Sequence, residues 1–449
     1  MRGRDPSWNS GPGTSGPELP RVAFGQGSYV YDAAGRKYLD GSGGPAVFCL
    51  GHGHPEVNAA ISRQLARIAH GYRYSFTSDP LEELESLIAA AAGPGYEHMV
   101  FVSGGSEAVE SCLKIALQYH SARGEPTRRR FIARRRSWHG NTLGALSVSD
   151  FKTRRAPFEG ALIEASFLAS VNAYRPPPGV EVAALAEHAA DELEAEILRL
   201  GPERVAAFIF EPVVGAAGAV VPAPPGYAAL VRDVCTRHGV LLIADEVMCG
   251  TGRCGTWRAL EHDGVAPDLF AIAKGLGAGY IPLGAAVYQH HVAEVLAVDG
   301  GPLTGHTFTG HTLACAAGVA VQTIVRRDGL LARVAADGPP LLAALREELA
   351  DIEAVGDVRG RGFFFGIELV SHRETRACYA PELGLSSRIG RAAAELGLLC
   401  YPVGGNVDGD NGDAILLAPP FNAADAELEE LVGLTGAAIR AALARLPAG

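Results

Sequence analysis

The sequence predicts an α/β protein with a large, mostly parallel sheet and a smaller α/β unit assembled from N- and C-terminal segments. Three observations carry this reading. Between about residues 99 and 290, short apolar runs alternate with stretches whose apolar residues recur at helical spacing. The runs are continuously apolar, as strands are when helices cover both faces of a parallel sheet. After about residue 326 long amphipathic stretches are separated by short runs such as GFFFGIELV and AILLAPPF, a pattern of helices over a mostly antiparallel sheet.

Taken in order, MRGRDPSWNSGPGTSGPELP combines charge with Gly, Ser and Pro, lacks the apolar core of a signal peptide, and reads as a loose tail over residues 1–20. Residues 21–55 are expected to join the smaller unit, 56–325 to form the large one and 326–449 to complete the smaller one. HMVFV (98–102) is a strand. Ser103 and a Gly-Gly turn follow it, and Val109, Cys112, Leu113, Ala116 and Leu117 then mark a helix. The same order recurs at FIAR near 131, VAAFIFEPV near 205, GVLLIADEV near 239 and LFAIAKG near 269, with ADELEAEILRL and YAALVRDVCTRHG as helices between them. PPLLAALREELADI, SSRIGRAAAELGL and AELEELVGLTGAAIRAALARL are the helices of the C-terminal part. No internal repeat interrupts this order.

Composition removes several classes of function. Nearly half of the 449 residues (48%) are apolar, which is incompatible with general disorder. Lys plus Arg number 39 against 50 Asp plus Glu, a net charge of -11. The basic runs are confined to Arg128–Arg130 and Arg134–Arg136, so no nucleic-acid partner is expected. The uncharged stretch between Glu211 and Arg232 is cut by Pro222, Pro224, Pro225 and Gly226, which argues against a membrane helix. Eight cysteines without a C-x-x-C pair suggest small apolar core residues in a reducing cytoplasm, with no disulfide framework and no metal. Glycine, at 56 residues, is well above its usual ~7%.

Ligands of parallel sheets sit at the carboxyl ends of the strands. Four of those ends carry reactive or phosphate-binding types: Ser103-Gly104-Gly105-Ser106, Glu211-Pro212, Asp245-Glu246-Val247 and Lys274-Gly275. A lysine at a strand end is usually just solvated, but Lys274 shares its sheet edge with an acid on a neighbouring strand, as a Schiff-base lysine and its carboxylate partner must. Asp245 reads either as a local cap or as the partner of a protonated ring nitrogen. Gly104, Gly105 and Ser106 turn the chain and offer backbone N–H groups at a helix start, an anion site. Trp138-His139-Gly140 supplies an aromatic face for a planar ring, although a tryptophan is more often core.

Together these residues resemble the class III aminotransferases, fold type I enzymes that use pyridoxal 5'-phosphate (PLP). The resemblance runs from about Gly25 to Leu443 through YDAAGRKYLDGSGG, LGHGHPEV, VSGGSEAVESCLKIA, SWHGNTLGALSVSD, FEPVVGAAGAVVPAPPGY, ADEVMCGTGRCGTW, PDLFAIAKGLGAGYIPLGA, GHTFTGHTLACAA and VRGRGFFFGIEL. It implies that Lys274 forms the internal aldimine and then shuttles a proton, and that Asp245 pairs with the pyridine nitrogen. Val247 and Trp138 would pack on opposite ring faces, Trp138 being larger than the tyrosine or phenylalanine usual there, with His139 beside it. Gly105 and Ser106 would bind the phosphate, Thr307 would reach it from the partner of a homodimer, and Glu211 would lie near the ring and act through a neighbour.

The activity implied is transfer of an amino group from an amine or amino-acid donor to a keto-acid or aldehyde acceptor by ping-pong chemistry, with the amine:pyruvate, or ω-transaminase, branch favoured. Ala216 and Met248 replace the glutamate and glutamine of glutamate-specialised members. GGNVDGDNGDAILLAPPF holds no arginine before the Pro-Pro pair, where that branch usually binds substrate carboxylate. An aminomutase or decarboxylase of the same fold, or a homologue without turnover, are the rival readings. His52 and His54 belong to the LGHGHP turn and are not expected to ligate metal. Tyr72, Tyr74 and Phe76 read equally as pocket or core, and Phe421 as packing.

Overall fold

The computed structural model describes residues 19–446; residues 1–18 of the expected tail lie outside that range. The continuously apolar runs become strands of a seven-stranded sheet: β1 (His98–Val102), β2 (Arg130–Arg134), β3 (Ala165–Leu168), β4 (Val205–Phe210), β5 (Leu241–Asp245), β6 (Leu269–Ile272) and β7 (Gly284–Tyr288). Their order is β1-β7-β6-β5-β4-β2-β3. Strand β7 is antiparallel to both β1 and β6, and the other pairs are parallel.

The apolar runs are continuous because alternate residues meet different helices. Ala207, Ile209, Leu241, Ile243, Leu269 and Ala271 pack with Val109, Cys112, Leu113 and Ala116 of helix α1 (Gly105–Ala122). Phe208, Phe210, Leu242, Ala244, Phe270 and Ile272 face the other way, onto Leu193 and Ile197 of α2 (Leu185–Leu200) and Val231 and Val234 of α3 (Tyr227–His238). Burying a side chain of this size from water stabilises by about 1.5–3 kcal/mol. A polar residue at either parity would therefore have to be satisfied internally or lie at a strand end.

Two strands were not expected. β3 is a four-residue edge strand whose first three residues are only half-buried. β7, GAAVY, is built mostly of Gly and Ala and follows a glycine-rich turn.

Two four-stranded sheets and a two-stranded one (Val213–Val214 with Val221–Pro222) accompany the large sheet. Val22–Gln26, Tyr29–Asp32 and Lys37–Asp40 form an antiparallel set, and Lys37–Asp40 also pairs in parallel with Leu398–Leu399. Tyr401–Gly404, Asp413–Leu417, Phe364–Leu369 and Val355–Arg361 form a fully antiparallel sheet. Phe363, Phe365 and Ile367 pack there with Leu345, Ile389 and Ile439 from helices α4 (Leu330–Glu348), α5 (Leu385–Leu396) and α6 (Asp425–Ala444). Helix α4 starts nine residues before the predicted Pro339 and runs through Pro339 and Pro340. Gly338, just before them, packs against the backbone of Gly362, where a Cβ would come within 2.8 Å. Phe421 is buried beneath Arg253, whose guanidinium lies 4.6 Å from its ring. All eight cysteines are unpaired and six are buried. Among the described residues no helix is long and apolar enough to cross a membrane.

Candidate active site

Asp245 ends β5 on the parity that faces α1, so its carboxylate emerges beside the start of that helix. Its Oδ1 accepts a hydrogen bond from the Val247 N–H at 3.0 Å, and its Oδ2 lies 2.8 Å from Nδ1 of His139. The residue thus acts as a local cap and as a long-range partner at once. His139 is held in turn by its own N–H, which donates to Ser149 Oγ at 2.8 Å, while its Nε2 is buried without a partner.

Strand β6 delivers Lys274 two residues beyond its end, with a φ of +41°, a left-handed conformation uncommon for residues other than glycine. Such strain persists only where the surroundings hold it, and it collects at functional sites. Burial pushes the Lys274 pKa down, Asp245 and Glu211 oppose that shift, and the Arg154 cation reinforces it. A lysine below its usual range offers a larger share of neutral amine near pH 7.

Helix α1 opens at Gly105, and the amides of its first turn have no partner within the helix. Two glycines make this end accessible. A Cβ on Gly105 would come within 2.8 Å of Val247, and one on Gly140, whose φ is +145°, within 2.7 Å of Ser106. The Trp138–Gly140 turn therefore closes onto the helix start, where the Asn141 N–H donates to Ser106 Oγ at 2.9 Å.

Glu211 follows β4 and is 6% exposed. It accepts from the N–H of Trp138 at 2.9 Å and of Gly215 at 2.8 Å, fixing the aromatic turn to the sheet edge. Burial pushes its carboxyl up to about 7; Asp245 adds to the shift, while His139 and the two amides oppose it.

Gly105, Ser106, Trp138, His139, Glu211, Asp245, Val247 and Lys274 line one cavity of about 390 Å³, joined by Val47, Met248 and Ile281. Thr307 does not line it: it is exposed on the loop before the helix Thr312–Arg327. Tyr72, Tyr74 and Phe76 are neither core nor cavity lining in this chain; they are 47%, 69% and 69% exposed. His52 pairs with Asp40 at 2.9 Å. Arg154, which the sequence reading passed over, places its guanidinium 4.6 Å from the Trp138 ring and 4.8 Å from Phe151. Nothing in the local pattern KTRR marks it, because the contact is made across a turn. A separate cavity of about 370 Å³ at the amino ends of β5 and β6 is lined by Arg232 and Asp268, which pair with each other.

The cavity thus offers a buried carboxylate backed by an imidazole, a helix start cleared of side chains, an aromatic wall and a lysine of depressed basicity. These are the contacts a ring nitrogen, a phosphate, a ring face and an aldehyde carbon need, so the residues fit PLP.

The pattern of the aminotransferase class-III family matches residues 16–439. An uncharacterized aminotransferase of Schizosaccharomyces pombe is 40% identical over 431 residues, 95% of this chain and 94% of the relative. The putrescine–pyruvate aminotransferase of Pseudomonas aeruginosa is 32% identical over 92% of this chain and 89% of its own. Among solved structures, an amine transaminase from an uncultivated Pseudomonas species, in its PLP-bound form, superposes with a TM-score of 0.89 at 35% identity, covering 98% of this chain and all of that one.

Proposed function

Since the chain belongs to the class III aminotransferase family, whose cofactor is PLP, we propose that it moves nitrogen from an amine or amino-acid donor to a pyruvate-type keto acid or an aldehyde. One observation carries the assignment of roles. Lys274 and the Asp245–His139 pair stand at the ends of adjacent parallel strands and open into the same cavity. When bound, PLP supplies an aldehyde to condense with amines and a ring that draws off the electron pair left when the substrate carbon loses its proton.

The chain's own residues do the rest. Lys274, its amine kept partly neutral by burial, takes the proton from the substrate carbon and returns it one position away. Asp245, held by His139 and the Val247 N–H, keeps a proton on the ring nitrogen. Gly105 and Ser106 would hold the phosphate at the start of α1, and Trp138 and Val247 would pack on the ring. Glu211 acts through Trp138 by fixing its backbone. Thr307 would complete the phosphate site from a second copy of the chain, a reading supported by its exposure and by its absence from the lining of its own cavity. The small-unit strands 22–40 and 398–399 pair with each other, which supports a division into a large unit over 56–325 and a small one from 21–55 and 326–449. Eight unpaired cysteines fit a cytoplasmic location.

The test is a donor added to the purified holoenzyme, followed by the visible absorption of the cofactor and by release of the keto product. Lys274→Ala is expected to keep fold and bound cofactor and to lose turnover. Steady-state transamination by that variant would overturn the role given to Lys274.

A further inference from the structure

The cavity of about 370 Å³ at the amino ends of β5 and β6 lies at the opposite edge of the sheet from Asp245 and Lys274 and shares no lining residue with theirs. Three guanidinium groups line it: Arg123 just after α1, Arg128 before β2 and Arg232 on α3, with two acids, Glu125 and Asp268, among the same lining residues. Burial works against ionisation of both acids, yet His120, Arg128 and Arg123 hold the Glu125 carboxyl below its usual range, and His291, Arg232 and the Leu242 N–H hold Asp268 below its own. Both are therefore charged near pH 7. Burial pushes the pKa of His120 down and keeps that ring neutral. Three fixed cations thus face two anions, a local positive excess on a chain whose net charge is -11.

The two carboxylates are fully engaged. Asp268 Oδ2 accepts from Arg232 Nη1 and from the Leu242 N–H, both at 2.7 Å, and its Oδ1 lies 3.2 Å from His291 Nε2. Glu125 is divided among His120, Arg123 and Arg128, at 3.2, 3.7 and 3.1 Å. The arginines differ in what this leaves them. Arg128 is a fastener, its Nη1 donating to the carbonyls of Pro202, Val205 and His238, the last at the end of α3. Arg232 gives Nε to Thr236 Oγ1 and Nη1 to Asp268, and its Nη2 has no partner among the described residues. Arg123 gives Nη1 to the Tyr119 hydroxyl and stacks over that ring, and its Nε has none. Both of these side chains keep contact with solvent, at 19% and 48% exposure.

Compensation of a helix end accounts for Arg128 alone. Uncommitted N–H donors on two guanidinium groups in one positively charged cavity match an oxyanion, and a phosphate-type dianion has oxygens enough to accept from both. The volume falls in the range of small-ligand sites, roughly 300–1,000 Å³. We propose that this cavity binds a small phosphate-type oxyanion, inorganic phosphate or a compact phosphate ester, through Arg123 and Arg232, apart from the place where the cofactor's own phosphate is held.

The experiment uses the holoenzyme, in which the cofactor fills its own site. Inorganic phosphate and glycerol 3-phosphate are titrated in turn by calorimetry, at an ionic strength held constant with chloride so that general screening does not change. Saturable binding is expected, with the cofactor's visible absorption unmoved. Arg232→Met and Arg123→Met should each raise the Kd about 10-fold or more, the loss of a charge-assisted donor, and Arg129→Met, which lies outside the cavity, should leave it unchanged. A tighter Kd for glycerol 3-phosphate assigns the site to esters, and an equal or weaker one assigns it to the free ion. Should Arg232→Met fail to fold because Asp268 loses its partner, Arg123→Met carries the test on a half-exposed side chain. Titrations that do not saturate, or a Kd that is the same in the natural protein and in the folded cavity variants, would overturn the proposal and leave the arginines as fasteners of their own elements.

Discussion

Glu211 shows how a strand end sets the chemistry of one residue. Buried at the end of β4, with two amides to satisfy it, its carboxyl is pushed from its ordinary 4.5 up to about 7, chiefly by loss of water. Between those two values the unfolded chain releases a proton that the folded chain keeps. The residue's contribution to stability therefore falls as pH rises from about 4.5 to about 7, by roughly 3 kcal/mol at most, and stays low above that range. In cofactor-free protein, Glu211→Gln should gain on the natural chain as pH rises from 5 to 7. Thermal midpoints measured across that range check this, and a pH-independent difference between the two proteins would contradict it. The acid itself was legible, because Glu211 ends an apolar run, as do Asp245 and Lys274. Its bond to the Trp138 amide was not, and neither were the pairing of His139 with Asp245 nor the stacking of Arg154 on Trp138. Such contacts join residues brought together only by the sheet, and no local spacing encodes them.

At the scale of elements, a buried acid fastens the antiparallel sheet to the loops beside it. Glu368, fully buried in the strand Phe364–Leu369, receives Arg359 at 2.7 Å from the neighbouring strand and Arg175 from the segment after β3. Arg359 also donates to the carbonyls of Gly218 and Val220, beyond β4. One buried carboxylate thus joins two guanidinium groups drawn from different elements, and Asp357 at 2.9 Å is a second partner for Arg359. Glu368→Ala should destabilise the fold by about 3 kcal/mol, because it takes the buried carboxylate from both guanidinium groups and leaves Arg359 only the partly exposed Asp357. Denaturant unfolding measures this, and replacing Arg359 by Met in the same chain should recover part of the loss. A cost below about 1 kcal/mol would show the pair to be solvated. Elements of this kind differ in how well they read from sequence. β4, β5 and β6 were legible because burial on both faces writes an unbroken apolar run. β3 is a half-buried edge, and β7 uses Gly and Ala where it is squeezed between β1 and β6, so neither carries the β-branched and aromatic signature of a strand.

At the scale of the whole molecule, Tyr72, Tyr74 and Phe76, which the sequence left open between pocket and core, stand exposed beside a second apolar segment. Tyr74 and Phe76 are each 69% exposed and Phe308 56%, with Ile68, Tyr72 and Leu303 also open. The two segments that carry them are joined: the Gly71 N–H donates to Thr312 Oγ1 at 2.9 Å, the Tyr74 hydroxyl lies against Gly305, and the rings of His70 and Phe308 meet edge-on at 5.6 Å. Contiguous exposed apolar surface is a common mark of an interaction site. Thr307 stands beside it and outside its own cavity, so under the proposed function the occupant expected there is a second copy of the chain. Phe308→Arg would place an unpaired charge in that interface. It should yield monomers in sedimentation velocity and weaken cofactor binding at least tenfold, although every residue of the chain's own cavity is intact. Thr307→Ala should remain dimeric and loosen the cofactor alone. Phe308→Arg that stays dimeric, or a monomer that holds the cofactor as tightly as the natural protein, would separate the exposed face from the site. The two variants together decide whether the apolar surface serves association only or also completes the place where the phosphate is held.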